Sequence, residues 1–351
     1  MSATEFDVGG RFIGHGHPCF IIAEAGVNHN GSLELARQLV DAAVGAKADA
    51  VKFQTFKAER VLTENAPKAE YQKQTTGTSE IQLEMVRRLE LSPESHRELM
   101  RYCQDKDILF MSSPFDELSA DLLDEIDVAV FKVPSGEITN IPFVSHIARK
   151  QKPMFISTGM SYLSEVEMAV RAVEEQNNHY YVLLQCTSNY PADPADANLT
   201  AMGTMARAFG ALIGYSDHTP GIEIPLAAVA LGACVIEKHL TTDRTLPGPD
   251  HPASLEPDEF AAMVRTIRMV ESSIGHGRKE PAASEANTAS VARKSLVSSK
   301  NILAGTVLTE EYIAIKRPGT GLPPAMLPHL IGRTARAAIL EGELITLDLL
   351  A

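Results

Sequence analysis

From residue 20 to about residue 275, short apolar runs alternate with longer stretches whose apolar positions recur at helical spacing. The runs are FIIAEAG (20–26), AVKFQTF (50–56), ILFMSSPF (108–115), AVFKVPSG (129–136), PMFISTGM (153–160), YVLLQCTS (181–188), LIGYSDH (212–218) and CVIEKHL (234–240). Each holds several apolar or β-branched residues and then passes into polar residues or a Gly/Pro turn, the pattern of a buried parallel strand entering a loop. Between most of them lie amphipathic segments with start and stop signals. SLELARQLVDAAVGA opens on Ser32, SPESHRELMRYCQDK on Ser92 or Ser95, and SEVEMAVRAVEEQ on Ser164; EPDEFAAMVRTIRMVESSIG closes on Gly275. Eight strands alternating with helices over roughly 260 residues predict a (β/α)8 TIM barrel spanning 1–280. A doubly wound sheet would show fewer strands and often a Gly-rich first turn, which GGRF near the start does not match.

The stretch HGRKEPAASEANTASVAR is rich in Ala, Ser and Pro and lacks apolar periodicity, so a linker is expected over 281–293. Residues 294–351 then carry short β-like runs (SLVSS, VLT, IAIKRP, ARAAI, ELIT) separated by turn signals. They predict a small, mostly β module near the lower size limit for independent folding, one that needs a surface to pack on.

In a barrel, functional groups sit at the C-terminal ends of the strands. Here every predicted strand ends in polar side chains: Glu24 with Asn28 and His29; Lys52 and Gln54; Ser112 and Ser113; Lys132, Ser135 and Glu137; Ser157 and Thr158; Thr187, Ser188 and Tyr190; Ser216, Asp217 and His218; Glu237, Lys238 and His239. A single serine in a loop is most often a turn residue or cap, but a coincidence at eight strand ends points to a site. Lys52 and Lys132 sit inside apolar strands, where an unpaired ammonium is costly. Together with several hydroxyls they would form a seat for a compact di- or trianion, such as a phosphate with a carboxylate. The alternative is that each lysine pairs with a structural acid such as Glu24 or Glu237. His218 and His239 end successive strands, and two such imidazoles suit a divalent transition metal, although an isolated histidine is more often structural.

The 351-residue chain holds 45 acidic and 32 basic residues, a net charge of −13, which argues against nucleic acid or an anionic membrane as partner. No apolar run approaches the ~20 residues of a membrane span, and the first ten residues do not read as a signal peptide. Four widely spaced cysteines fit reduced thiols in a cytoplasmic protein better than a disulfide framework.

The blocks IIAEAGVNHNG, AVKFQTF, SSPFD, FKVPSGEITN, ISTGM, QCTSNYP, GYSDHTPG, VIEKHLTTD and PGPDHPASLEP, in that order, resemble the sialic acid (nonulosonate) synthases, and the tail from ARKSLVSS onward resembles that family's antifreeze-like SAF domain. The resemblance implies condensation of phosphoenolpyruvate with an N-acylated mannose-type sugar. The product would be N-acetylneuraminate from N-acetylmannosamine, or N,N′-diacetyllegionaminate from 2,4-diacetamido-2,4,6-trideoxymannose; pseudaminate synthesis is a third option. It implies a divalent metal (Mn2+, with Mg2+ or Co2+ also serving) on His218 and His239. It also implies a homodimer whose SAF domain covers the partner's barrel. Carried over by position, phosphoenolpyruvate would meet Lys52, Ser113, Lys132, Ser135, Ser157, Ser188 and Ser216. Ser113 and Ser188 stand where some members have Thr and Asn. The sugar would meet Glu24, Gln54, Tyr190, Asp250 and, from the partner's SAF domain, Arg317. Glu137 would be the general base, with Lys52 and Lys132 stabilising charge. Two further readings are a non-catalytic carbohydrate- or partner-binding module and an aldolase that releases pyruvate. The segment ENAPKAEYQKQTTGTSEIQLEMVRRLELS resembles members of both the neuraminate and legionaminate kinds.

Overall fold

The computed structural model describes residues 3–351. The chain forms two compact units, one ending at Gly275 and the other spanning His276–Ala351.

The first unit begins with a hairpin the apolar pattern did not announce, β1 (Glu5–Val8) and β2 (Arg11–Gly14), paired antiparallel. Gly9 and Gly10 form its two-residue turn with φ of 59° and 87°, left-handed values that glycine adopts without a Cβ penalty. Phe6, Val8 and Ile13 pack among the strand-start residues Phe20, Ala50, Leu212 and Val235, so the hairpin closes the N-terminal end of the barrel. Each such side chain contributes about 1.5–3 kcal/mol relative to exposure.

The predicted runs form eight parallel strands: β3 (Phe20–Gly26), β4 (Ala50–Thr55), β5 (Leu109–Pro114), β6 (Phe131–Val133), β7 (Met154–Ser157), β8 (Tyr181–Cys186), β9 (Leu212–Asp217) and β10 (Val235–His239). The ladder runs β5-β4-β3-β10-β9-β8-β7-β6, with β5 and β6 lying side by side at the seam of a nearly closed barrel. Among the described residues no helix is long and apolar enough to cross a membrane.

Strand parity sorts the side chains. Phe20, Ile22, Ala50, Met111, Val130, Phe155, Leu184 and Val235 fill the barrel interior. Their neighbours Ile21, Val51, Phe53, Phe110, Phe131, Ile156, Leu183 and Ile236 pack under the helices. Continuing the inward parity to the C-terminal ends brings Glu24, Lys52, Ser113, Lys132, Ser157, Ser216, Glu237 and His239 to one mouth.

Helix ends follow local chemistry. Ser32 caps Leu33–Gly45 by accepting from Leu35 N, and Ser92, followed by Pro93, caps Pro93–Asp105 by accepting from Ser95 N. Gly275 ends Pro257–Ile274 at φ 67°. Ser164 is not a cap: the helix begins at Leu163, and Glu165 accepts the free N–H of Tyr162 at 2.7 Å.

The stretch expected to be a linker over 281–293 is helical at Ala283–Glu285 and Ala286–Ala292 and belongs to the second unit. Alanine's helix propensity stabilises this turn where apolar periodicity is absent. The second unit pairs β11 (Ser295–Ser298) with β12 (Ile313–Lys316) antiparallel. Single bridges such as Ile302 to Ile339 and Val307 to Thr334 tie the remaining runs. Leu296, Ile302, Leu308, Leu330, Ile339 and Ile345 give it a core of its own.

Candidate active site

The barrel mouth opens into a cavity of about 390 Å³ whose lining includes Glu24, Lys52, Gln54, Ser113, Lys132, Ser135, Ser157, Ser188, Tyr190, Ser216, His218, His239 and Asp250. Of the fifteen side chains to which the resemblance gives a role, thirteen therefore meet in one place. Two do not. Glu137 is half-buried in the loop after β6 and accepts from Asn140 Nδ2 at 2.8 Å, and its side chain is not part of the lining. Arg317 is exposed at the end of β12 in the second unit.

Both cavity lysines are paired. Lys52 Nζ lies 2.7 Å from Glu24, 3.6 Å from Glu237 and 3.0 Å from Ser113 Oγ. Lys132 Nζ lies 3.5 Å from Glu237. Glu237 also accepts from Ser216 Oγ at 2.9 Å, so it ties both ammonium groups and a hydroxyl. Burial pushes Glu237 upward, but Lys132 and Lys52 outweigh it and hold the carboxylate below its ordinary pKa. Burial raises Glu24 to about 7 against the pull of Lys52, with the Glu237 charge adding to the rise. Burial likewise lifts Asp250 to about 6, opposed by His218 and Lys52. Lys52 is held above its ordinary value because Glu237 and Glu24 overcome the burial that opposes charge; Lys132 falls below it, through burial first. The pairing of each lysine with an acid and the convergence on a cavity are thus both present. A protonated Glu24 leaves two ammonium groups facing one carboxylate, a net positive floor suited to an anion.

The loops after β6, β7 and β8 converge through bare backbone. Gly159 N donates to Ser135 Oγ at 3.0 Å, and a Cβ at residue 159 would collide with the hydroxyls of Ser135 and Ser188. Ser157 Oγ, buried beside them, has no hydrogen-bond partner among the described residues. A buried orphan hydroxyl next to a glycine cradle is a place for a bound polar group.

Cys186 Sγ lies 3.9 Å from both Ser188 Oγ and His218 Nδ1, so the imidazoles adjoin this cradle; His218 and His239 have ring centroids 5.3 Å apart, and Tyr190 packs 4.1 Å from the first and 5.7 Å from the second. His218 Nδ1 bonds the Thr187 carbonyl at 2.8 Å, which leaves Nε2 for a ligand; His239 Nδ1 is buried with no partner among the described residues. Burial holds His239 well below its ordinary pKa, in the neutral form a metal requires. Two imidazoles fit a divalent ion that completes its shell with water or substrate. Among the described residues no three His, Cys, Asp or Glu side chains gather as a closed metal site.

Other strand-end residues are structural. Asp217 and Lys238 have the outward parity and form a fully buried pair at 2.5 Å beneath the helices. Ser112 bonds Thr55, which bonds His96; Asn28 bonds the Leu240 carbonyl and Ser254; Thr158 bonds the Leu184 carbonyl. All four cysteines are free and buried.

Sequence reasoning passed over several lining residues. Glu237, expected only as an acid that pairs with a lysine, is placed in the lining by parity, since it lies two residues before His239 on the same face. Cys186, two residues past Leu184, follows the same rule. Tyr71, Gln72, Gln82 and Met85 belong to an excursion between β4 and the helix at Pro93. It consists of short helices Ala58–Val61, Glu70–Thr76 and Gln82–Arg87. Buried Lys68 gathers it by bonding Thr76 Oγ1 at 3.0 Å, the Gly77 carbonyl at 3.1 Å and Glu80 at 3.4 Å.

A TIM barrel with this mouth, followed by a small β unit with its own core, defines a two-domain barrel class. Residues 39–279 match the NeuB family and residues 293–351 the SAF domain. The chain is 48% identical over 318 residues to the N,N′-diacetyllegionaminic acid synthase of Legionella pneumophila, covering 90% of this chain and 89% of that protein. It is 46% identical over 330 residues to the protein of the same name from Campylobacter jejuni, with 93% and 98% covered. Among solved structures, the N-acetylneuraminic acid synthetase of Leptospira borgpetersenii in complex with citrate superposes with a TM-score of 0.74 at 40% identity, covering 82% of this chain and 95% of that one. The chain belongs to the NeuB family of nonulosonate synthases and carries a C-terminal SAF domain.

Proposed function

We propose that the chain condenses phosphoenolpyruvate with an N-acylated mannose-type sugar and water, giving a nonulosonic acid and phosphate. The observation that carries this reading is the cavity floor, where two buried lysines, orphan Ser157 and the Gly159 cradle face the same space as paired imidazoles. Lys52 and Lys132 would hold the phosphate and carboxylate of phosphoenolpyruvate, helped by Ser113, Ser135, Ser157, Ser188 and Ser216. Gln54, Tyr190, Asp250 and Glu24 would orient the sugar with its C1 aldehyde toward the floor.

C3 of phosphoenolpyruvate attacks C1 of the open-chain sugar; the new C–C bond forms as the aldehyde π bond breaks to leave an alkoxide, and cationic character develops at C2. Water adds at C2 and gives up one proton, which replaces the one the alkoxide takes up; the tetrahedral centre then expels phosphate by C–O cleavage, its hydroxyl proton leaving with the phosphate as the C2 ketone forms. Glu137 is proposed to take the proton from water; burial raises its carboxyl, which brings it closer to the solution pH at which a base is most effective. His218 and His239 would hold a divalent ion, Mn2+ in the first instance, which when bound polarises the aldehyde oxygen as a Lewis acid. Arg317, in a homodimer whose SAF domain covers the partner's barrel, would bond the sugar's N-acyl group.

Two acceptors are in view. N-acetylmannosamine would give N-acetylneuraminate. The names of relatives at 48% and 46% identity favour 2,4-diacetamido-2,4,6-trideoxymannose. The test is phosphate release from phosphoenolpyruvate by the metal-loaded protein with each sugar. Sugar-dependent phosphate is expected. Pyruvate in place of phosphate, or no phosphate with either sugar, would refute the synthase reading. Glu137→Gln should retain phosphoenolpyruvate binding and lose turnover by about 10²–10⁴-fold; a near-normal rate would remove Glu137 as base.

A further inference from the structure

The cavity has two chemically different walls. Its floor is built from strand ends and holds the lysines, acids and imidazoles. Its outer wall is built from Phe56 and the excursion, and every residue of residues 61–89 that lines it is uncharged: Val61, Leu62, Ala69, Tyr71, Gln72, Gln82, Met85, Val86 and Leu89. Phe56 and Leu89 pack together with Val27, and Val61, Val86 and Phe115 close around them. The Gln72 and Gln82 amides, bonded to each other at 3.3 Å, also line the cavity.

Contiguous rings connect the two walls. Tyr190 packs on His218 at 4.1 Å, and Tyr71 stacks on Tyr190 at 4.9 Å with 29° between planes. A sugar whose C1 lies at the imidazoles therefore extends along Tyr190 and places its distal carbons against the excursion. An apolar seat there gains nothing from a terminal hydroxyl, which would lose its water, and gains from burying a methyl. A paired amide edge can bond both the N–H and the C=O of an acylamino group.

Resting on the synthase reading, we infer that the 58–89 excursion selects the acceptor. Met85, Leu89 and Phe56 seat the C6 methyl, and Gln72 with Gln82 binds the C4 N-acyl group. The wall thus favours a 6-deoxy, doubly N-acylated hexose over one with hydroxyls at both positions. An apolar pocket separates a methylated from a hydroxylated ligand by about 10–100-fold, and the contacts the amide edge gains only from an acyl group add to that ratio.

The experiment is the ratio of kcat/KM for 2,4-diacetamido-2,4,6-trideoxymannose over N-acetylmannosamine, read by phosphate release in full-length protein with Mn2+. Three proteins are compared: the natural chain, Met85→Gln and Gln82→Met. The natural chain should prefer the doubly acylated sugar at least 10-fold. Met85→Gln should narrow the ratio at least 5-fold, through KM for that sugar, with KM for phosphoenolpyruvate unchanged. Gln82→Met, on a half-exposed position, should narrow it independently and serves where Met85→Gln does not fold. A natural preference for N-acetylmannosamine, or equal losses on both sugars in both variants, overturns the inference and leaves the synthase reading intact. Phosphate release with neither sugar overturns both.

Discussion

The two walls of the cavity are made in different ways. The floor comes from eight strand ends whose side-chain direction is fixed by the pleat, and whose charges are locked by one another: Glu24 to Lys52, and Lys52 and Lys132 to Glu237. The outer wall comes from short helices of four, seven and six residues, held by Lys68 and a tyrosine stack. A floor built on the sheet suits chemistry that must not vary. A wall built on an excursion can be exchanged without disturbing the barrel, which suits a choice among related sugars.

The largest effect should follow from breaking the floor. Lys52→Met leaves Glu24 and Glu237 facing each other in a buried space. Turnover should fall at least 10³-fold in steady-state phosphate release, and stability by about 3–5 kcal/mol in chemical denaturation, the cost of an uncompensated buried charge, reduced where Glu24 takes up a proton. Retained turnover would show that Lys52 is only structural.

The same strands offer a sharper contrast. Lys238 and Asp217 lie on β10 and β9 but face the helices. Lys238→Met should cost a similar ~3–5 kcal/mol in denaturation, while the folded fraction keeps its KM for phosphoenolpyruvate. A raised KM would mean that the outward face reaches the site.

Loss of metal should separate the imidazoles from the lysines. His218→Ala should lower bound manganese by elemental analysis. Unchanged metal content would contradict the assignment.

The smallest effect concerns protons. Glu24 rises from an ordinary 4.5 to about 7, so between these values the folded chain holds a proton the unfolded chain has released. Its contribution is full below about pH 4.5 and is lost as pH rises through about 7. Glu24→Gln removes this titration, so the Tm of the variant minus that of the natural chain should grow from pH 5 to pH 8. A constant difference would place the proton elsewhere.

The floor was legible because parity is a local rule. Lys52 and Lys132 stand out in apolar strands, and Glu24, Ser113, Ser157, Ser216 and His239 follow from counting by two. Strand-end polarity alone does not separate the two faces, which is why Ser112, Asp217 and Lys238 stand beside inward residues in the sequence and only parity sets them apart. The excursion was not legible because helices this short carry no sustained period, and their direction is set by long-range contacts such as Tyr71 on Tyr190. The β1–β2 hairpin was missed for the same reason: its strands of four residues are defined by the barrel end they cover. Glu137 lies past the end of β6, beyond the reach of parity, so only its motif singles it out; its side chain is bonded to Asn140.

The division between floor and wall is tested most directly by titrating phosphoenolpyruvate, without sugar, into Lys132→Met and Gln82→Met and following the heat of binding. The account predicts that Gln82→Met binds within about twofold of the natural chain and that Lys132→Met loses at least 100-fold, since about 3 kcal/mol attends the loss of one buried charge-assisted contact. Equal weakening in both variants would contradict it.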